Sequence, residues 1–125
     1  MKPGEPSMTA RRVAAHRIAF PRVEAPFGRP DDDQRLQESV AAGVSVDPTT
    51  TMARYLRVRT AFMDRAAVDA IVGGTPQVVV VGAGYDGRAL RYADPRMRWF
   101  ELDHPDTQRD KRAWLEELHL ADDAI

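Results

Sequence analysis

The residues best suited to ligand chemistry lie in a glycine-rich turn at residues 82–87. Glycines at positions 82, 84 and 87 form the pattern Gly-x-Gly-x-x-Gly, and four consecutive valines come directly before them. Gly82 lets the chain turn sharply, and Gly84 lets the backbone approach a ligand closely. Gly87 stands at the start of the next predicted helix, whose free amide groups and positive dipole end would face that ligand. The turn therefore indicates a ligand site at the end of the valine segment.

Two acidic residues follow the turn at the distance expected of a ribose ligand. Glu101 lies 19 residues after Gly82, and Asp103 lies 21 residues after it, at the end of a second short apolar segment. A carboxylate at the end of that second strand can accept hydrogen bonds from ribose hydroxyls. Together these features predict a site for an adenosine-type cofactor. The alternative is a glycine-rich turn that binds nothing.

The surrounding pattern predicts alternating helices and strands. We expect helices over about 7–19, 31–42, 50–72, 86–92 and 106–118, strands at 77–81 and 98–102, and an irregular segment at 1–6. The valine run is typical of a strand that is buried on both faces of a parallel sheet. An order of helix, strand, helix, strand and helix favours a parallel sheet with crossover helices.

The longest predicted helix, residues 50–72, carries an arginine within its apolar stripe. Arg59 lies four residues after Tyr55 and three before Phe62, so we place it on the same side as the apolar residues Met52, Tyr55, Leu56, Phe62, Met63, Ala66 and Ala70. A guanidinium on a buried stripe needs an anionic partner. That partner is either a ligand or a carboxylate of the same chain, and a third possibility is that Arg59 extends to solvent.

Two features favour S-adenosyl-L-methionine over a nicotinamide or flavin dinucleotide. Arg59 is positioned to meet a carboxylate, which the amino-acid tail of S-adenosyl-L-methionine has and a dinucleotide lacks at that place. In addition, only about a dozen residues separate Gly87 from the second strand. Dinucleotide folds usually have a fuller helix there, which braces the pyrophosphate.

The composition excludes several other kinds of site. The chain has no cysteine, which excludes disulfides, thiolate metal sites and cysteine nucleophiles and makes a cytoplasmic location the natural expectation. Its three histidines are far apart in sequence, so we expect no metal. A net charge of −1 and the lack of a long apolar stretch predict neither a nucleic-acid partner nor a membrane. The oligomeric state is not predicted.

Several polar residues near the site have a structural explanation besides a functional one. Asp86 is a further candidate for cofactor binding, although a helix cap explains it slightly better, and Asp103 could also cap the last helix. Tyr85 is expected to pack within the loop. Lys111 is expected to extend to solvent along the last helix. The acidic run at 31–33 is expected to be a solvated helix start, because no matching set of metal ligands is visible.

Several blocks of the sequence resemble the leucine carboxyl methyltransferase family, and more closely its actinobacterial branch of S-adenosyl-L-methionine-dependent O-methyltransferases. The blocks are Arg59-Thr60-Ala61-Phe62-Met63-Asp64, Gln77-Val78-Val79-Val80-Val81-Gly82-Ala83-Gly84-Tyr85-Asp86, Arg88-Ala89-Leu90-Arg91-Tyr92, and Phe100-Glu101-Leu102-Asp103-His104-Pro105 followed by Lys111. Residues 9–17 also resemble the first helix of that branch, which packs over the active site. One departure is Gly87, where the family usually has threonine.

The resemblance implies a class I methyltransferase fold with a Rossmann-like parallel sheet and S-adenosyl-L-methionine as cofactor. By position, Arg59 would hold the cofactor carboxylate. Asp103 would bind the ribose hydroxyls, with Glu101 as the alternative. The residues that would pass beneath the methionyl part are Gly82, Ala83 and Gly84.

A doubly wound nucleotide fold has about six strands, and this sequence predicts two. We therefore expect N-terminal cap helices and an irregular segment over 1–49, and over 50–125 the first part of a cofactor-binding domain that is truncated after two strands. The expected function is O-methyl transfer to a carboxylate or hydroxyl of a small molecule or peptide end, weak or absent in this chain alone. A dinucleotide-binding (NAD or FAD) oxidoreductase fragment and a non-catalytic remnant are the alternatives. No catalytic residue is evident.

Overall fold

The computed structural model describes residues 7–120, which form five helices and two strands. Residues 1–6, for which we predicted an irregular segment, and residues 121–125 lie outside the described part. The elements in chain order are α1 (Met8–Ile18), α2 (Pro30–Ala41), α3 (Thr51–Val72), β1 (Gln77–Val81), α4 (Arg88–Arg91), β2 (Arg98–Leu102) and α5 (Pro105–Glu117).

The four long helices begin and end within two residues of their predicted bounds, because local signals set their ends. The Ser7 hydroxyl accepts the N–H of Ala10 at 3.2 Å, and the Thr50 hydroxyl accepts that of Ala53 at 3.0 Å. At the start of α5, Nδ1 of His104 accepts an N–H from the first turn at 3.1 Å. These side chains satisfy amide groups that have no partner within the helix. His104, and not Asp103, is therefore the cap of α5.

The two strands pair in parallel, as predicted, with Gln77 opposite Arg98 and Val81 opposite Leu102. The crossover between them differs from the prediction. Its helix, α4, is a single turn instead of the seven residues expected. The N–H of Asp86 donates within the glycine turn, to the carbonyl of Ala83 at 2.8 Å, and Gly87 and Tyr92 have non-helical backbone angles. Gly87 precedes this helix, as predicted, but a helix of one turn has only a small dipole.

The sheet is covered on one face only within residues 7–120. Val78, Val80 and Trp99 pack against the C-terminal half of α3, in a core cluster that includes Val68 and Ile71. On the opposite face, large apolar side chains are exposed, namely Val79, Val81, Phe100 and Leu102. The prediction of a strand buried on both faces is therefore wrong for the described part of the chain.

The buried side of α3 is not the predicted apolar stripe. Met52, Tyr55 and Phe62 are between 59% and 71% exposed. The buried residues are instead Ala53, Leu56, Thr60, Asp64, Ala67, Val68 and Ile71. A pattern based on apolar residues alone missed this face because two of its members are polar and accept hydrogen bonds from buried arginines. Arg59 is consequently exposed and does not lie on a buried stripe.

A second core cluster lies beneath the glycine turn. Tyr85 and Leu90, which are fully buried, pack there with Ala14 of α1, Leu36 of α2 and Leu115 of α5. We expected Tyr85 to pack within the loop, but it packs against these three helices. Helices α1, α2 and α5 are attached to the glycine turn through this cluster.

Candidate functional site

A groove of about 640 Å³ runs between α1, α3, β1 and the glycine turn. Because β1 and β2 pair in parallel, the residues that follow both strands, Gly82 and Asp103, lie together at the groove. Six of the seven residues that the sequence predicts as cofactor ligands line the groove, namely Arg59, Gly82, Ala83, Gly84, Asp86 and Asp103. The seventh, Glu101, does not line it.

The glycine turn has a left-handed backbone at two of its glycines. Gly82 has φ = 65° and Gly84 has φ = 53°, a region that disfavours residues with a side chain. A Cβ added to Gly82 would meet no heavy atom within 4 Å, whereas one added to Gly84 would lie 3.2 Å from Cβ of Ala10. Gly82 therefore leaves room for close approach of a ligand, and Gly84 lets α1 pack over the turn.

Asp103 connects the end of β2 to the turn. Its Oδ2 accepts the N–H of Gly84 at 2.5 Å, and its Oδ1 accepts the N–H of His104 at 2.6 Å. Each carboxylate oxygen has two lone pairs, so both can accept a further hydrogen bond. The side chain is partly buried and lines the groove. The Asp103 carboxylate can therefore accept hydrogen bonds from the hydroxyl groups of a ligand.

Glu101, the alternative ribose ligand, is paired with a lysine of α5. Nζ of Lys111 lies 2.6 and 2.8 Å from the two carboxylate oxygens and also donates to the carbonyl of Asp86 at 2.6 Å. Burial raises the pKa of Glu101, and the charge of Lys111 opposes that rise. Lys111 is buried, so its predicted extension to solvent is wrong: it has acceptors inside the fold. Both residues line an adjoining cavity of about 250 Å³, which shares Asp103 and part of the glycine turn with the groove.

Asp86 is buried, and its carboxylate contacts Arg88. Oδ1 accepts the N–H of Arg88 at 2.8 Å, and Oδ2 forms an ion pair with the Arg88 guanidinium. Burial opposes ionisation of Asp86, but the charges of Arg88 and Arg17 outweigh it and lower its pKa to about 2. The carboxylate is thus ionised, and it accepts the N–H of the first residue of α4. This role is similar to the helix cap that the sequence favoured, although the N-cap position itself is Gly87.

Arg88 links the start of α4 to α3. Its Nε donates to Oδ1 of Asp64 at 2.8 Å, and its Nη2 donates to the carbonyl of Thr60 at 3.3 Å. Asp64 also accepts two hydrogen bonds from Arg22, at 2.8 and 2.9 Å. Burial opposes ionisation of Asp64, yet Arg22 and Arg88 hold its pKa below the usual range. This ion-pair network fixes α3, and with it Arg59, relative to the glycine turn.

Helix α2 contributes a third buried carboxylate, Asp33. It lies 3.3 Å from Arg22 and 2.5 Å from Arg91 and is fully buried. The expectation that residues 31–33 form a solvated helix start is therefore wrong for Asp33. Its neighbour Asp31 is exposed, as expected. The difference arises because Asp33 lies on the side of α2 that packs against α4.

Gln37 joins three parts of the site. Its Nε2 donates to the carbonyl of Tyr85 at 2.6 Å and to Oδ1 of Asp33 at 3.1 Å, and its Oε1 accepts from Nη1 of Arg17 at 3.0 Å. The side chain is 1% exposed. Gln37 therefore holds α1 and the glycine turn in one fixed arrangement.

Sequence reasoning did not identify Arg17 or Gln37 as residues of the site. A signal existed for Arg17, because it lies in the segment that resembles the helix packing over the active site. No signal existed for Gln37, whose partners Arg17 and Tyr85 are 20 and 48 positions away in the chain.

Arg59 projects from α3 at the groove beside Thr60 and Met63. Among residues 7–120 its guanidinium has neither an ion pair nor a hydrogen bond. Pairing with a carboxylate of its own chain, one of the explanations left open, is thus not found in the described part. The guanidinium is free to bind an anion.

Across residues 7–120, no group of three or more histidine, aspartate or glutamate side chains could hold a metal ion. In the same range no helix combines the length and the apolar character needed to cross a bilayer.

Comparison with known proteins identifies relatives for almost the whole chain. The model of the leucine carboxyl methyltransferase family matches residues 10–124. A Mycobacterium ulcerans protein is 32% identical over 126 residues, which cover 89% of this chain and 40% of the relative. A Streptomyces coelicolor protein is 38% identical over 77 residues, or 61% of this chain and 24% of the relative. Both bear the name "Putative S-adenosyl-L-methionine-dependent methyltransferase". The chain spans about two fifths of the length of the Mycobacterium relative.

Proposed function

The chain belongs to the leucine carboxyl methyltransferase family, and on that premise we propose that its groove binds S-adenosyl-L-methionine for methyl transfer. One observation carries the proposal. A left-handed glycine turn, a carboxylate at the end of β2 and a free guanidinium on α3 line the same groove. The Mycobacterium and Streptomyces relatives of this chain also bear names that contain S-adenosyl-L-methionine.

Each part of the cofactor has a suitable group in the groove. The open space over Gly82 suits the methionyl chain, and Ala83 and Gly84, which follow in the turn, also line the groove. The free guanidinium of Arg59 suits the carboxylate of the amino-acid part. The remaining lone pairs of Asp103 suit the two ribose hydroxyls. Glu101 is less suited, because Lys111 already binds both of its oxygens.

The cofactor, when bound, supplies an activated methyl group on a sulfonium centre. The residues of this chain bind and orient it and exclude water. None of the groove-lining side chains described above is an evident general base. A carboxylate acceptor needs no base, whereas a hydroxyl acceptor would need one. We propose a carboxylate or hydroxyl of a small molecule or peptide end as the methyl acceptor. We also propose a reducing cytoplasm as the location, for which a cysteine-free sequence is suited.

We further propose that this chain contributes the first part of a class I methyltransferase fold. The support is the uncovered sheet face with Val79, Val81, Phe100 and Leu102, since large exposed apolar patches mark surfaces that another element covers. A sheet of two strands also leaves an outer edge on each strand. Methyl transfer by residues 1–125 alone is then expected to be weak or absent.

Titration calorimetry tests the cofactor assignment. The 125-residue chain is titrated with S-adenosylhomocysteine, the demethylated product form of the cofactor, and in parallel with NAD. Binding of the first ligand and none of the second is the expected result. Binding of NAD but not of S-adenosylhomocysteine would refute the assignment and favour a dinucleotide-binding protein.

A further inference from the structure

The groove also runs along the outer edge of β1, a part that the proposed function does not use. All four valines of β1 line it, together with Met63, Ala66 and Ala70 of α3. The glycine turn and Asp103, which the proposed function does use, come after the strands. Within residues 7–120 the sheet has two strands, so no other strand pairs with this edge of β1.

The hydrogen bonds to β2 determine which backbone groups of β1 face outward. The carbonyl of Pro76 accepts the N–H of Arg98 at 2.9 Å, and the N–H of Gly82 donates to the carbonyl of Leu102 at 2.8 Å. Residues that bond to one neighbouring strand alternate along a strand, so the even-numbered residues of β1 bond to β2. The residues whose N–H and C=O groups face the outer edge are therefore Gln77, Val79 and Val81.

This edge lacks the features that usually protect an exposed strand. The valines carry no charge, and neither a proline nor a bulge interrupts the strand. The other strand, β2, contains two charged residues, Arg98 and Glu101. Because native proteins protect strand edges with charges, prolines or bulges, an apolar edge without them is a surface for pairing with another strand.

We propose that β1 pairs with β1 of a second copy of this chain, antiparallel about a two-fold axis at Val79. Such an axis, perpendicular to the sheet, places Val79 opposite the partner's Val79 and Gln77 opposite the partner's Val81. Each of these pairs exchanges two hydrogen bonds, because the groups at positions 77, 79 and 81 face outward. A net charge of −1 gives little repulsion between copies. This inference goes beyond the proposed function.

Helix α3 favours a second copy over a strand of an unrelated protein. The two-fold axis places both α3 helices on the same face of the joined sheet, one on each side of the axis. Their groove-lining residues Met63, Ala66 and Ala70 then face each other, and the alanines allow close approach. Met63 is 42% exposed in the single chain, so this contact removes apolar surface from water. A strand alone would form the backbone bonds without the helix contact.

Charges at position 79 test the arrangement, because the axis places this residue opposite itself. Analytical ultracentrifugation over a dilution series should show the wild type at twice the 14.0 kDa of one chain. Val79→Lys and Val79→Glu each place like charges directly opposite, so each should weaken dimerisation by about fivefold or more. An equimolar mixture of the two variants should recover the dimer, since opposite charges then face each other. Val79 is 54% exposed, so the single chain tolerates both substitutions.

A third variant and a control separate strand pairing from other contacts. Val79→Pro removes the central outward N–H and keeps the bonds to β2, so it should weaken dimerisation by about tenfold or more. Phe100→Lys is the matched control, because Phe100 lies next to Val79 in the sheet, on the same uncovered face but away from the axis. It should leave the dimer unchanged. If Val79→Pro does not melt cooperatively, the two charge variants decide.

Four results would overturn the inference. A wild type that is monomeric throughout the dilution series excludes the dimer, and a dimer that the Val79 variants do not weaken is held by another surface. Failure of the mixed charge variants to associate contradicts a two-fold axis at position 79. Loss of the dimer in Phe100→Lys means that the uncovered sheet faces stack instead. A monomeric chain that binds S-adenosylhomocysteine would refute this inference and leave the proposed function intact.

Discussion

A Cβ added to Gly87 would overlap Oδ1 of the buried Asp33 carboxylate. It would also lie 3.1 Å from Nε2 of Gln37. The backbone of Gly87 has φ = −105°, which any residue can adopt, so lack of space and not chain conformation requires glycine there. The family pattern suggested a threonine at this position. In this chain the carboxylate of Asp33, from α2, fills the space that a side chain would need.

The first prediction concerns this overlap. Gly87→Thr should lower the free energy of unfolding by about 1–3 kcal/mol, because an added side chain in a filled core forces its neighbours to move. Thermal denaturation measures the effect. In an Asp33→Ala background the same substitution should cost less, because the blocking carboxylate is gone. An equal cost in both backgrounds would contradict the steric explanation.

The second prediction concerns the proposed ribose contact of Asp103. Asp103→Asn should weaken binding of S-adenosylhomocysteine by about tenfold, since the amide has no charge and replaces one acceptor oxygen by an NH2 donor. Calorimetry measures the change. The control is Asp31→Asn, which alters an exposed aspartate at the start of α2 and should have no effect. Unchanged affinity in Asp103→Asn would argue against a ribose contact.

The third prediction concerns the pH dependence of stability. The pKa of Asp86 is about 2 in the folded chain against an ordinary value of 3.8, so its ionised form stabilises the fold above pH 4. This contribution, about 2 kcal/mol, is lost as the pH falls from about 4 to 2, because the unfolded chain then binds the proton more tightly.

Denaturant unfolding between pH 5 and pH 2 tests this dependence. Asp86→Asn removes the titrating group, so its stability should fall less steeply over that range than that of the wild type. Parallel slopes for the two proteins would show that Asp86 does not contribute to the acid lability.

The fourth prediction compares the two faces of the sheet. Trp99 is 3% exposed and packs against α3, whereas its neighbour Phe100 is 43% exposed on the uncovered face. Trp99→Ala should therefore cost about 3–5 kcal/mol of unfolding free energy. Phe100→Ala should cost less than about 1 kcal/mol. Thermal melts of both variants measure the difference, and similar losses would mean that the second face is covered in solution.

The sequence by itself determined where the helices and strands lie. Capping residues such as Ser7 and Thr50, glycine and proline at the breaks, and the valine run act within a few positions of the chain. The sequence also predicted that Asp103, Arg59 and the glycine turn belong to one site. For Asp103 that inference came from its spacing after the glycine turn. For Arg59 it came from the family resemblance and from an apolar stripe that the structure does not bury.

Only the tertiary structure decided which polar groups are buried and with what partner. The pairs Arg22–Asp64 and Arg91–Asp33 join residues 42 and 58 positions apart, and no local pattern links such positions. Apolar periodicity predicted the wrong buried face of α3. That method assigns only apolar residues to a buried face, whereas a charged residue can also lie there when it is paired. For the same reason the contact between Arg17 and Gln37, and the space at Gly87 that Asp33 fills, became visible only when the helices were packed together.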